Sequence, residues 1–324
     1  MTSIRTVGVG PVLVAVDPSA RSQPGLAKAA RLATATRRRL LVYACDWREG
    51  LDDGRVSAAG RRRLEADGLK ALSSMIRSHL GSARRFTARY QLGHPRAEFI
   101  LAAVRRERPG LVVLDSHFHA EARRALFGAA DWPLIRECPV PLLYAKPGRW
   151  HAAPRIAAAV DPRHAADPRA RLDGLLVATA RHYARALSGS LYVVNAWLPL
   201  EPTLAGPGLF GMAPLDAATA DRLVAGEEVA ARAAVGGLLS RTDKPRGEVV
   251  LLRGAAVDTL PGFAELEGLD VLVMGSVARS RLYELLIGAT AERLLERVAC
   301  DVLIVRGARP RAARKRRGPR RLPL

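Results

Sequence analysis

The sequence predicts an α/β chain made of two tandem five-stranded, doubly wound parallel-sheet domains, and three observations carry that prediction. Short, near-continuous runs of Val, Leu, Ile and Ala alternate with helical stretches along the whole chain, the pattern of a parallel sheet covered on both faces. The motif VLVAVDP at 12–18 returns as IAAAVDP at 156–162, an offset of 144, and LVVLDS ending at Ser116 returns as VLVMGS ending at Ser276, an offset of 160. The chain has 324 residues and is 49% hydrophobic, enough for two ordinary cores.

Each half has the same order of elements. A buried strand (VLVAV, or IAAAV in the second half) leads through Asp-Pro into a helical stretch at 21–38 or 172–187. A second apolar strand follows (LLVYAC or SLYVVNAW), then a long amphipathic helix at 60–80 or 225–241. A half-polar strand (FTARYQLG or GEVVLLRG), a helix, a buried strand (GLVVLDS or LDVLVMGS), a short helix and a last strand (PLLYAK or DVLIVR) complete the unit. The offset between the halves grows on the way. The Pro- and Gly-rich segment PLEPTLAGPGLFGMAPLDA is the expected place for the extra length, as a long loop. Domain boundaries are expected at 1–149 and 150–306, with the join at KPGRWHAAPR. A disordered basic tail is expected at 307–324.

The formal charge is +20, from 51 Lys+Arg against 31 Asp+Glu. Residues 306–324 carry nine of those cations and no acid, with little apolar content to pack. Arg61, Arg62 and Arg63 form a second cluster. Such runs bind phosphate backbones without reading sequence, so nonspecific nucleic acid is one candidate partner, set against a solvated arginine-rich surface. No stretch is apolar enough for a membrane-spanning helix, and the N-terminal apolar segment is too short for export, so the expected location is the cytoplasm, with no membrane partner. Cys45, Cys138 and Cys300 are too sparse for a disulfide framework or a zinc site and are expected to be buried small hydrophobes.

In a doubly wound sheet, ligands bind beyond the carboxyl ends of the strands, where strand order reverses. Asp17 and Asp161 end the first strand of each half, and Gly275 ends the fourth strand of the second. Gly275 and Gly288, with Thr290 opening the helix TAERLLERV, stand where backbone N–H groups and a helix N-terminus could face a phosphate. Their other reading is turn punctuation. His117 and His119 beside Asp115 suggest a metal pair, but alternate residues leaving a strand diverge and no third ligand is near; no metal site is expected. Cys138 has an acidic neighbour, which disfavours a thiolate, and no nucleophile or acid–base pair is evident, so no catalytic residue is assigned.

The runs VAVDP, AVDP, GHPRAEFI, FGAADWPLIRECPVPLLYAK and MGSVARSRLYELLIGATAERLLERVACDVLIV resemble the universal stress protein family, in its tandem-domain E-type form. The resemblance implies a Usp-like, adenine nucleotide alpha hydrolase-like fold, an intramolecular pseudo-dimer of the two domains, and a non-enzymatic role in stress survival and resistance to DNA-damaging agents. Further pairing into a homodimer is left open. ATP-binding relatives carry Gly, two residues, Gly, nine residues, Gly, then Ser or Thr. In the second half these positions are Gly275, Ala278, Gly288 and Ala289, with Thr290 one residue late; in the first half they are Asp115, Phe118, Gly128 and Ala129. The first-half site is expected to be lost, because an aspartate repels a triphosphate. The second half keeps a candidate site for ATP or another anion at Gly275, Arg279, Gly288, Ala289 and Thr290, with Asp161 near a ribose or metal. A nucleotide-dependent switch with slow hydrolysis is the alternative to a purely binding role.

Overall fold

The fold is taken from a computed structural model, which describes residues 9–18, 20, 22–46, 56–82, 84–92, 96–115, 131–163, 171–198, 217–241, 247–275 and 289–307. The first half contains β1 (Val12–Val16), α1 (Pro24–Ala35), β2 (Leu40–Asp46), α2 (Ala58–Leu80), β3 (Thr87–Leu92), α3 (Arg96–Glu107), β4 (Leu111–Asp115), α4 (Asp131–Glu137) and β5 (Leu142–Ala145). The second half contains β6 (Arg155–Ala159), α5 (Arg171–Ala186), β7 (Ser190–Trp197), α6 (Ala217–Ser240), β8 (Glu248–Arg253), α7 (Ala256–Leu266), β9 (Val271–Gly275), α8 (Ala289–Arg297) and β10 (Asp301–Val305).

The ten strands form one sheet, in the order β3-β2-β1-β4-β5-β10-β9-β6-β7-β8. Each half is a parallel 3-2-1-4-5 arrangement, and the halves meet edge to edge through β5 and β10, which are antiparallel with Leu143 opposite Leu303. Two edge strands that would otherwise expose unpaired backbone groups thereby satisfy each other. Alternation along β1 sends Val12, Val14 and Val16 into one core and Leu13 and Ala15 into the other. Helices α1, α2, α5 and α6 cover the first face, and α3, α4, α7 and α8 the second. Among the described residues no helix is long and apolar enough to cross a membrane.

Growth of the offset takes place in two steps. Val12 and Ile156, 144 apart, pair with Leu40 and Leu191, which are 151 apart. The first seven extra residues therefore lie between the first and second strands, where α5 has 16 residues against 12 in α1. The remainder falls between β7 and β8, a span that includes the Pro- and Gly-rich segment; that segment, at 199–217, lies outside the described residues except for Ala217. The ends of α1 and α5 still match: Arg37 and Ser188 both take φ of 54°, and the next N–H of each bonds back to Ala33 and Ala184 respectively.

Across the seam the halves are tied by buried charge. The Asp301 carboxylate accepts from Lys28 Nζ, the Lys146 backbone N–H and the Trp150 indole, each at 2.8 Å. Lys28 also donates to the Lys146 carbonyl at 2.7 Å. The Lys146 ammonium turns towards the C-terminal end of α8, donating to the Leu295 and Val298 carbonyls, a favourable place for a cation. Burial pushes the Asp301 carboxyl above the usual range and the Lys146 amine below its own.

Candidate functional site

The strand order reverses between β1 and β4 in the first half and between β6 and β9 in the second, as the sequence led us to expect. The two switch points are built differently. In the first, the Asp17 carbonyl accepts from Ala20 N–H at 3.1 Å and from Gln23 Nε2 at 2.6 Å, closing the turn that delivers the chain to α1. Helix α1 has no acid in its first turn, and its N-cap residue, Gln23, makes no side-chain capping bond. The cap comes from another element: Asp115, the last residue of β4, accepts from Gly25 N–H at 2.6 Å. Asp115 is only 8% exposed. A Cβ on Gly25 would lie 2.8 Å from the Asp115 Oδ1, so the glycine is what lets the carboxylate reach the helix end. A carboxylate on a first-turn N–H that has no partner within the helix supplies the negative charge that this end attracts. The first-half site thus carries its own anion.

In the second half Gly275 replaces that aspartate. Helix α5 begins further forward, and its first-turn acid, Asp173, is fully buried and accepts from Asp161 N–H at 3.1 Å. Leu172 packs directly over Gly275, where an added Cβ would stand 2.8 Å from its Cδ2. Gly275 is not among the glycines with positive φ. The Leu172 side chain of α5, not a left-handed backbone, is what a Cβ there would meet, and it would have to turn aside. Helix α8 opens at Ala289 and Thr290, one strand-to-helix connection beyond Gly275. Arg279 and Gly288 lie outside the described residues, as do Phe118, Gly128, Ala129, His117 and His119. The structure therefore brings Asp161 and Gly275 to one crevice beside β6 and β9 and places α8 after it.

Two side chains in this crevice escaped the sequence reading. Asp173 had one usable signal, an acid in a first helical turn. Asn195, inside the apolar run SLYVVNAW, is 4% exposed and donates from Nδ2 to the Val160 carbonyl at 2.9 Å, bracing the strand end next to Asp161. Cys138 and Cys300 are buried as expected, whereas Cys45, near the end of β2, is only half-buried. Burial pushes Cys138 up to about 11 and Cys300 up to about 12, which keeps both protonated. Among the described residues no cluster of three or more His, Cys, Asp or Glu side chains could hold a metal ion.

Fold and crevices together define a tandem pair of doubly wound α/β units, each with a helix N-terminus at its switch point. The model of the Universal stress protein family matches the chain twice, at residues 8–146 and 155–306, and the chain belongs to that family. It is similar to Universal stress protein E of Salmonella typhi, 24% identical over 204 residues, and to that of Escherichia coli K12, 23% identical over 204 residues. Each match covers 60% of this chain and 60% of the relative, so the chain spans under two thirds of the curated relatives it matches. Among solved structures, a universal stress protein from Pseudomonas aeruginosa UCBPP-PA14 superposes with a TM-score of 0.66 at 22% identity, covering 92% of this chain and 94% of that one. A universal stress protein from Archaeoglobus fulgidus gives 0.53 at 15% identity, covering 91% and 96%. These likenesses establish the shared fold.

Proposed function

We propose that this chain is a non-enzymatic, cytoplasmic stress protein that supports survival and resistance to DNA-damaging agents by binding a ligand or partner. The observation that carries the reading is the Asp115 carboxylate on Gly25 N–H at 2.6 Å. A phosphate at the first switch point would have to displace a buried charge-assisted bond and then face the same carboxylate, a repulsion that close range and partial burial make severe. The first repeat, residues 1–149, is then a structural partner for the second, residues 150–306, in a pseudo-dimer built from one chain.

A second reading makes the other repeat an ATP-binding switch. It is favoured by Gly275, which removes the strand-end carboxylate that Asp115 supplies in the first half, and by the start of α8 at Ala289 and Thr290, while Asp173 keeps one carboxylate nearby on Asp161 N–H. Arg279 and Gly288 complete the candidate set, and Asp161 stands at the strand end where a ribose would lie. Leu172 must turn away from Gly275 for phosphate to approach. Equilibrium dialysis with ATP and magnesium decides between the two readings. The first expects no saturable binding below millimolar nucleotide. Saturable binding by the wild type that weakens in Gly275→Asp and strengthens in Leu172→Ala would replace it with the switch.

A further inference from the structure

The acidic residues are unevenly distributed in a way that the fold makes spatial. Residues 18–45, 68–97, 138–160 and 174–200 contain no Asp or Glu. Those segments supply α1, the second half of α2, the β5–β6 connection and most of α5, and α1 packs against both α2 and α5. The outer side of the α1–α5 seam is therefore lined by basic residues from both repeats. Acids among the described residues that come near from elsewhere include Asp301, engaged by Lys28, Lys146 N–H and Trp150, Asp270, engaged by His151 and the Arg155 backbone, and Glu227 and Glu228 of α6, paired with Arg163 and Arg232.

Two guanidinium groups here are held by neutral acceptors. Arg84 donates to the Ala30 carbonyl and the Thr34 hydroxyl, bridging onto α1. Arg31 donates to the Trp150 and Ala152 carbonyls and lies 5.8 Å from the Trp150 ring centroid. Such bonds orient an arginine without cancelling its charge. Arg38, exposed at the end of α1, is close enough for its charge to bear on His182 and Tyr183 of α5. On the outer side of α5, Arg181 and Arg185 line an open groove of ≈ 470 Å³ that runs to Gly189 and Leu191. The carbonyl ends of α1 and α5 offset only about half a charge each. His182, between those two arginines in sequence, is half-buried with its Nε2 lacking a hydrogen-bond partner among the described residues.

We propose that this arginine stripe, running from Arg84 across Arg31 and Arg38 to Arg181 and Arg185, is a docking surface for the phosphate backbone of nucleic acid. Arginines spread over α1, α5 and the turns beside them, two of them oriented by neutral acceptors, suit a ladder of phosphates, which needs charge and donors and no apolar insertion. An acidic membrane is the poorer fit: surface-bound helices bury Leu, Phe or Trp among their cations, and the exposed large hydrophobic residues of this chain, such as Leu64, Leu198 and Val229, lie outside α1 and α5. The surface belongs to neither nucleotide crevice, so its test is separate from the dialysis with ATP. It is also separate from the basic C-terminal segment.

The test uses the full chain and a labelled mixed-sequence DNA duplex, with affinity measured over a range of salt. Arg38→Gln/Arg185→Gln removes two exposed charges from the stripe, and Arg136→Gln/Arg293→Gln removes two exposed charges from the opposite face of the sheet. Both variants keep the same C-terminal segment, and surface changes of this kind leave the urea midpoint in place. The stripe variant should lower the slope of log affinity against log salt by about 1.8, at about 0.9 per lost phosphate contact, while the control keeps the wild-type slope. Equal changes in the two variants, or no DNA retention by the wild type, would overturn the proposal. Vesicles of phosphatidylserine and phosphatidylcholine form the second arm, and stripe-dependent binding to vesicles without stripe-dependent binding to DNA would also overturn it.

Discussion

Asp301 offers the sharpest test of how the two repeats are held together. Its carboxylate, 2% exposed, accepts three hydrogen bonds of 2.8 Å, all from groups of the first repeat or the connection that follows it. In Asp301→Ala the Lys28 ammonium, 6% exposed, loses its counter-ion, and the Lys146 and Trp150 N–H groups lose their acceptor. Breaking a buried pair by removing one partner costs about 3–5 kcal/mol, mostly because the remaining charge stays desolvated. Asp301→Asn retains an acceptor oxygen and should cost less, about 1.5–3 kcal/mol. Lys28→Met removes the ammonium and leaves the carboxylate on two N–H groups. Combined with Asp301→Asn it should be less damaging than the two single changes together, by about 0.5–3 kcal/mol. The measurement is urea unfolding at neutral pH, followed by far-ultraviolet circular dichroism and by tryptophan emission, since the Trp150 indole is bonded to Asp301. A loss below about 1 kcal/mol in Asp301→Ala, or strict additivity of the two changes, would refute the view that this cluster binds the halves.

Three further outcomes follow from the geometry. Asp115→Ala should lower stability by about 1.5–3 kcal/mol in urea unfolding, because α1 loses its only described N-terminal cap, and Asp115→Asn should recover part of that loss. In a thiol titration of the native protein at pH 8, Cys138 and Cys300 should stay silent until unfolding, since groups pushed up to about 11 and about 12 are thiolate in about one molecule in a thousand or fewer; only half-buried Cys45 should react. Lys146 titrates below the ordinary lysine value in the folded chain because burial disfavours its charge. The unfolded chain therefore binds the proton more tightly, and this group's contribution to stability rises with pH from its folded pKa up to the unfolded value of about 10.4. Wild-type stability measured against Lys146→Met should show that rise across the alkaline range, and a flat difference would contradict it.

Much of the architecture was legible along the chain. Apolar runs of four to eight residues at repeated spacing announce buried parallel strands, and the recurrence of AVDP announces the duplication, because both signals are local and survive in residue order. An aspartate standing where the nucleotide-binding pattern has a glycine was also legible. What that carboxylate holds was not. Asp115 caps a helix 90 residues away, and no pattern around Gly25 announces a carboxylate arriving from β4. Gly275 had two readings in the sequence, part of a phosphate cradle or turn punctuation, and neither announced that the Leu172 side chain of α5 packs over it.

Composition and periodicity by themselves determined the two repeats, their element order and the surplus of positive charge, since each depends on neighbours in sequence. Tertiary structure alone decided that the repeats share one ten-stranded sheet, that Asp301 becomes the buried counter-ion of Lys28, and that four acid-free segments come together across α1 and α5. Those outcomes depend on which edge strands pair and which helices lie side by side, and burial makes the resulting electrostatics strong only once the faces have met.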